Sequence, residues 1–282
     1  MKGIILAGGK GTRLYPSTEV VSKGLLPIYD KPMIYYPLTT LIENGIKEIN
    51  IISDSINLNK YNKLLGGGSR FGVKFNYLVQ YEPRGIAEAF IIAESKIKKE
   101  KTALILGDNI FSSSNVFKRA FREFKSGAVN FGYEVSNPSR YGVIEFDDEK
   151  VLSIEEKPKK PKSNYAVPGL YLYDGSVFDV ARNLQPSKRG ELEITDVNKH
   201  YLNTGQLKVY KINRGCVWLD AGTPSSLHES AEYIEVIEKR QGIKVGCVEE
   251  ASLNSKFIDK DRLNVILNEM PDCDYKDYLK RL

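Results

Sequence analysis

Three glycines within four positions end an apolar run near the start of the chain, in Leu6-Ala7-Gly8-Gly9-Lys10-Gly11-Thr12-Arg13. Glycine reaches φ > 0 cheaply and has no Cβ, so backbone N–H groups in such a loop can converge on one anion. The preceding segment, Gly3 to Leu6, reads as a buried strand, and the loop leaves its C-terminal end. In open α/β sheets that edge is where ligands bind. Arg13 closes the loop, and Lys23 follows in Ser22-Lys23-Gly24-Leu25-Leu26-Pro27. Cations beside such a loop point to a phosphate-bearing ligand.

Two commoner glycine loops are excluded by spacing. A Walker A loop needs Gly-Lys-Ser/Thr in succession, and here Gly11 separates Lys10 from Thr12. The dinucleotide fingerprint needs a third glycine at position 14, which is Leu14. On the loop alone, a plain glycine-rich turn with solvated cations also fits.

Downstream, the apolar segments Ile49 to Ile52, Phe75 to Val79, Ala103 to Leu106 and Val129 to Val135 alternate with helical patterns, the βαβ rhythm of a mainly parallel sheet. Helices are expected near Met33 to Asn44, Asn57 to Leu65, Ile86 to Lys98, Val116 to Lys125 and Ser176 to Asn183. From Val143 the strands come closer together: Val143 to Phe146, Val151 to Glu155 and Ala166 to Tyr173. A small antiparallel section therefore follows the parallel one. An amphipathic helix is expected over Thr223 to Arg240, with Thr223 as N-cap, Pro224 at the first position and Gly242 closing it. A helical tail, Asp259 to Met270, comes after.

The expected architecture is α/β: a Rossmann-like, mixed sheet flanked by helices, with a C-terminal helical extension. No Pro/Ser-rich linker divides the 282 residues. The expected organisation is one α/β body over 1–222, with a first part of about 1–112 and a second of about 113–222. Residues 223–282 would pack on that same body.

A net charge of +5 spread along the chain, with one short basic stretch at Lys157 to Lys162, argues against a nucleic-acid footprint. Small anionic substrates suffice. Cys216, Cys247 and Cys273 form no Cys-x-x-Cys pair, and their odd number speaks against a closed disulfide framework. A reducing cytoplasm fits. The N-terminus lacks a signal-peptide pattern, and no apolar run approaches the ~18 residues of a membrane span.

Two further residues carry chemistry. Asp108 ends the run Leu106-Gly107-Asp108, and Asp220 ends Val217-Trp218-Leu219-Asp220; both would project at the ligand edge. Two carboxylates suit a hard cation such as Mg²⁺, which takes one or two of them together with phosphate oxygens and water. With only His200 and His228 in the chain, an imidazole-based zinc site is disfavoured. Taken singly, either aspartate also fits a turn residue. Gln80 closes the Phe75 to Val79 strand, and its amide can offer a donor and an acceptor at once; taken singly it also fits a polar strand end. Gly85 opens the following helix and would let the chain pass close to a ligand.

Several blocks together resemble the sugar nucleotidyltransferases, in particular the long-type glucose-1-phosphate thymidylyltransferase branch. They are the glycine loop with Ser22 to Pro27, the run Leu25 to Leu38, Leu106 to Phe111, Arg140 to Val143, Glu155 to Pro158, Arg189 to Asp196 and Trp218 to Asp220. The resemblance implies Mg²⁺-assisted transfer of a nucleotidyl group from dTTP to glucose 1-phosphate, giving dTDP-glucose and pyrophosphate. It implies a nucleotide site of Leu6, Gly8, Gly9, Gly11, Thr12, Arg13, Lys23, Gln80, Gly85 and Asp108. Arg13 would meet the departing phosphates and Lys23 the α-phosphate. The sugar phosphate would be held by Asn109, Tyr141, Gly142, Glu156, Lys157, Val167, Arg189 and Trp218, with Arg13, Lys23 and Lys157 as the catalytic cations and Asp108 and Asp220 on the metal. It also implies a cytoplasmic homotetramer.

The chain departs from that family pattern at named positions. Gly24 stands where a Gln is usual, Arg84 where relatives have Asp, and Pro168 where they have Thr. Ser112-Ser113-Ser114 replaces a Tyr-Gly-His segment that helps form a second, regulatory nucleotide site. Alternatives therefore stay open: the same reaction with UTP or another sugar phosphate, or a non-catalytic nucleotide sensor. A glycosyltransferase would usually carry Asp-x-Asp, which Asp147-Asp148 is not.

Overall fold

The computed structural model describes residues 1–112, 115–148 and 150–282. Ser113 and Ser114 of the serine triplet thus lie outside the described residues. The first strands are β1 (Lys2–Leu6), β2 (Pro27–Ile28), β3 (Lys31–Pro32), β4 (Glu48–Ser53), β5 (Lys74–Val79), β6 (Thr102–Leu106) and β7 (Asn109–Phe111). The later ones are β8 (Ala128–Glu134), β9 (Gly142–Asp147), β10 (Lys150–Glu156), β11 (Tyr165–Ala166), β12 (Leu170–Tyr173), β13 (Leu207–Lys211) and β14 (Trp218–Asp220). The helices are α1 (Tyr35–Glu43), α2 (Ser55–Leu65), α3 (Glu88–Ile97), α4 (Asn115–Glu123) and α5 (Val177–Asn183). After them come α6 (Ile194–Asn203), α7 (Pro224–Gln241), α8 (Val248–Asn254), α9 (Lys260–Glu269) and α10 (Asp274–Leu279).

β1 lies between β4 and β6, parallel to both, and β5 extends the parallel run beyond β4. Side chains alternate across a strand, so neighbouring isoleucines go to opposite faces. Ile5 packs with Leu38, Leu41 and Ile49 under α1, while Ile4 packs with Phe90, Ala93 and Leu104 under α3. Helices on both faces explain why β1 reads as a continuous apolar run.

Past β6 the pairing turns antiparallel. β12 lies between β6 and β8, and β9, β10 and β11 form an antiparallel extension on the same sheet. β13 runs parallel to the first residues of β8. The mixed sheet flanked by helices is the architecture expected from the sequence pattern.

One expected strand divides in two. Ala166 to Tyr173 breaks at Val167-Pro168-Gly169, where the chain leaves β9 and joins β6. Val167 N–H donates to the Gly142 carbonyl at 2.8 Å, and Leu170 N–H donates to the Pro168 carbonyl at 2.9 Å. Proline has no N–H for a ladder, so it sits at the switch between partners. Two elements beyond the sequence-based expectation, β7 and β14, pair antiparallel with each other, Asn109 opposite Asp220.

The C-terminal helices seat on the body of the fold. Thr223 caps α7 through Ser226, with a reciprocal capping box, Pro224 at the first turn and Gly242 at φ 65° as the stop. Glu238 of α7 bonds Lys31 at 2.9 Å and Lys244 at 2.7 Å, tying α7 to β3. Val248 and Ala251 of α8 join the same apolar cluster as α1.

Cys216 and Cys247 are buried and Cys273 is exposed, and no disulfide links them. Burial, reinforced by the nearby Glu249 charge, pushes the Cys247 thiol up to about 12. Because the thiolate is the reactive form, a disulfide-exchange reagent is expected to titrate one thiol promptly in the native protein and all three only after unfolding. Rapid labelling of Cys247 in native protein would contradict this packing.

Candidate functional site

The C-terminal ends of β1, β4, β5 and β6 share one edge. From β1, Ala7 N–H donates to the Ile52 carbonyl at 2.8 Å, and Gly107 N–H donates to the Leu6 carbonyl at 2.9 Å. These bonds anchor the start of the glycine loop to both neighbouring strands. Gly9 and Gly11 have φ of 109° and 59°, values an L side chain seldom adopts. Arg13 follows in a short 3₁₀ turn, Thr12–Leu14. Leu6, Gly8, Gly9, Gly11, Thr12, Arg13, Lys23 and Asp108 line one cleft.

Gly222 borders that cleft as well. A Cβ there would lie 2.7 Å from an Arg13 Nη, so the absence of a side chain is what lets the guanidinium approach β14. Gly24 has a local explanation: a Cβ would stand 2.4 Å from the Tyr61 hydroxyl, which also hydrogen-bonds Ser22 at 2.9 Å. A larger residue at 24 would have to displace that ring.

Asp108 and Asp220 are brought together by the β7–β14 ladder, and Ala221 N–H donates to the Asp108 carbonyl at 3.1 Å. Their electrostatics diverge. Burial alone would push the Asp108 carboxyl up, but the Lys23 ammonium on its Oδ2 and the Asn109 amide on its Oδ1 outweigh burial and hold it below the usual carboxylate range. Asp220 is pushed up, first by burial and then by the negative charge of Asp108; Lys23, Arg13 and Arg140 oppose this without cancelling it. Arg140, which sequence reading placed only inside a motif block, lies 3.9 Å from Asp220 Oδ2.

Asn109 braces the site, with one N–H of its amide left over. Its Oδ1 accepts from Trp218 Nε1 at 2.7 Å and from Gly169 N–H at 2.9 Å, while its Nδ2 donates to Asp108 at 2.8 Å. The Trp218 ring packs against Tyr141 with centroids 4.9 Å apart.

A second cleft, of about 710 Å³, opens from the first and shares Thr12, Arg13, Ile86, Leu106 and Asp108 with it. Asn109, Tyr141, Gly142, Glu156, Lys157, Val167, Arg189, Trp218 and Asp220 are on its walls. Lys157 is held at φ 43°, a left-handed conformation unusual for a lysine, with its N–H on the Tyr141 carbonyl at 3.0 Å. Strain of this kind persists where the surroundings fix it, commonly at binding sites. Glu156 accepts from Thr195 Oγ1 at 2.5 Å, with Lys157 at 3.6 Å and Arg189 at 3.5 Å. Arg189 is further held by Glu193 at 2.8 Å. Thr195 was not singled out in the sequence, although Ile194, Val197 and Tyr201 mark the buried face of its helix.

Two expected residues sit differently. Gly85, at φ 104°, faces the Leu192 main chain, which a Cβ would meet at 2.5 Å; its neighbour Ile86 is the one on the cleft wall. Gln80 lines a separate recess of about 330 Å³ behind the glycine loop, shared with Gly9, Gly11 and Lys23. Arg84 does not face that recess. Its guanidinium pairs with Glu88 at 2.7 Å and is mostly exposed, while Glu88 itself is buried.

Gly8 lies so near Gln80 that a Cβ would be 2.5 Å from Oε1. Gly8→Ala is therefore expected to push the amide or the loop aside and to raise KM for the nucleotide about tenfold, an overpacking effect read by steady-state kinetics. An unchanged KM would show that the loop yields freely.

Residues 2–236 match the family model described as Nucleotidyl transferase. The chain is similar over its whole length to curated glucose-1-phosphate thymidylyltransferases: 52% identical to that of Mycolicibacterium smegmatis, covering 99% of it, and 49% identical to that of Mycobacterium tuberculosis, also covering 99%. Among solved structures, a Bacillus anthracis chain assigned as a glucose-1-phosphate thymidylyltransferase, in complex with sucrose, superposes with a TM-score of 0.78 at 44% identity, covering 83% of this chain and 94% of that one. A UDP-glucose pyrophosphorylase with UDP-glucose superposes with a TM-score of 0.73 at 26% identity, covering 84% and 98%.

Proposed function

The chain belongs to the nucleotidyl transferase family, and from that premise we propose that it joins dTTP and α-D-glucose 1-phosphate to give dTDP-glucose and pyrophosphate. Full-length identity near one half to enzymes of that name supports the substrates. The observation that carries the chemistry is the convergence of Arg13, Lys23, Asp108, Lys157 and Asp220, from distant segments, on two connected clefts.

A phosphate oxygen of the sugar 1-phosphate attacks the α-phosphorus. The new P–O bond forms as the bond to the β-phosphate oxygen breaks, and the electron pair leaves with pyrophosphate. The nucleophile is already anionic, so no general base is required, and placement and charge neutralisation do the catalysis. Glycine-loop N–H groups and Arg13 would hold the departing phosphates, and Lys23 would exchange Asp108 for the α-phosphate. Lys157 and Arg189 would hold the sugar phosphate in line, and Glu156, fixed by Thr195, would accept from sugar hydroxyls.

Asp108 and Asp220 fit a divalent cation, for which we propose Mg²⁺. The Asp220 carboxyl is pushed up first by burial and then by the charge of Asp108, and a hard cation held by both would relieve that second part. Bound there, the ion would neutralise charge on the phosphate oxygens. Assembly as a homotetramer and a cytoplasmic setting are proposed on the likeness to long-type relatives alone; no helix among the described residues is long and apolar enough to cross a membrane.

The test is a pyrophosphate-release screen crossing dTTP, UTP and dCTP with several sugar 1-phosphates. The dTTP and glucose 1-phosphate pair is expected to give the highest kcat/KM. A preference for UTP would reassign the base, and no release with any pair would leave a nucleotide sensor.

A further inference from the structure

The recess behind the glycine loop is backed by a buried carboxylate that the reaction does not use. Glu88, at the first turn of α3, is 3% exposed, and its two oxygens face different donors. Oε1 accepts from Arg84 Nε at 2.8 Å, and Oε2 accepts from Gln80 Nε2 at 2.8 Å and from the Arg84 backbone N–H at 3.2 Å. Gln80 is 6% exposed and is pinned from behind, its own N–H donating to the Ser53 carbonyl at 2.8 Å.

A side-chain amide can present either end, and nothing in Gln80 itself chooses between them. The chain of partners does. A guanidinium only donates and an ionised carboxylate only accepts, so Glu88 must be met by the NH₂ of Gln80. Oε1 is then the end left toward Gly8 and the recess, in agreement with the close approach of Oε1 to Gly8.

We propose that Glu88 is a positioning residue for nucleotide choice: by consuming the amide donor of Gln80 it commits Gln80 to present an acceptor, selecting a pyrimidine that carries a hydrogen on N3. Thymine and uracil carry that hydrogen. Cytosine offers a bare N3, and two acceptors facing each other in a buried site are strongly disfavoured. The inference rests on the reading that Gln80 meets the base. It also gives Arg84 a role away from the base, as the donor that satisfies the other oxygen of Glu88.

The test reverses the polarity of the chain. In Glu88→Gln, one carbonyl oxygen faces the Arg84 guanidinium on one side and the Gln80 amide with the long Arg84 backbone N–H on the other, and the charge-assisted bond to the guanidinium takes it. The new amide NH₂ then points at Gln80, which turns over and presents Nε2 to the recess. The dTTP-to-dCTP ratio of kcat/KM is expected to fall at least tenfold, through KM for dTTP, while KM for glucose 1-phosphate stays within twofold. Adding Arg84→Asp should restore the ratio, because the carboxylate introduced at position 84 would accept from the amide introduced at position 88 and free its carbonyl for Gln80. Rescue by a second substitution on the exposed side is not expected of a residue that merely supports the fold.

Gln80→Ala separates the base contact from its orientation. If it leaves the dTTP-to-dCTP ratio unchanged, Gln80 is not a base contact and the inference falls with that reading. If it collapses the ratio while Glu88→Gln does not, the orienting role of Glu88 is overturned and the base contact stands. Arg84→Ala, which keeps the bond between Glu88 and Gln80, is expected to leave the ratio within threefold. A change as large as that of Gln80→Ala would place Arg84 on the base and overturn the assignment.

Discussion

Replacement of Asp220 by Asn is expected to lower turnover about 100-fold, equivalent to roughly 2.7 kcal/mol of transition-state stabilisation, with a matching rise in the Mg²⁺ concentration needed for half-maximal rate. The carboxylate is lost while the β7–β14 ladder, which uses backbone groups, is kept. Near-normal turnover at limiting Mg²⁺ would remove Asp220 from the metal assignment. The sign of the stability change is opposite. The Asp220 carboxyl is pushed up in the folded chain, so its protonated form favours folding at low pH, and that contribution is lost as pH rises through the elevated value. With a chelator present near neutral pH, Asp220→Asn should therefore unfold at a temperature no lower than the parent. As pH falls, protonation of Asp220 competes with the cation, so metal affinity weakens in the parent, and this dependence flattens in the variant.

The second large effect is expected at Lys157. Lys157→Ala raises KM for glucose 1-phosphate by about 100-fold while KM for dTTP changes little, because a charge-assisted phosphate contact is removed from one substrate only. The left-handed backbone at φ 43° sharpens the test. Lys157→Gly would relax that conformation and lose the same ammonium, so it should match Lys157→Ala in KM with no loss of stability. A larger effect on dTTP than on the sugar phosphate would put Lys157 in the wrong cleft.

Much of this site can be read from the linear chain because its parts are local. The glycine loop, Arg13 and Lys23 lie within one short stretch after β1, and their residue types together point toward an anion. The α7 ends are equally legible, since Thr223, Pro224 and Gly242 each act through their own backbone. What stays hidden depends on partners far apart in sequence. β7 and β14 are three residues each, too short to carry a period, and their pairing is what makes neighbours of Asp108 and Asp220. Glu88 looks like an ordinary first-turn acid of a helix, because its two hydrogen-bond partners are visible only once β5 and α3 are folded together. The strand expected over Ala166 to Tyr173 has a nearly unbroken apolar pattern, and only the missing N–H of Pro168 betrays the change of partner. Gly85 reads as an opening toward a ligand, whereas the Leu192 main chain fills the space beside it. Gly24 reads as a departure beside the nucleotide, and only the fold shows that it makes room for the Tyr61 hydroxyl.

The short ladder between β7 and β14 also governs when the protein can begin to work. Asp108 emerges from the ribosome long before Asp220, and the residues proposed to hold the sugar phosphate, Asn109 to Trp218, are synthesised in the interval. On the proposed assignment, a nascent chain that ends before β14 has only one of the two carboxylates, and would remain inert until the later residues have folded and returned the second strand to the first. Competence to consume a triphosphate would in this way be deferred until there is somewhere for the nucleotidyl group to go.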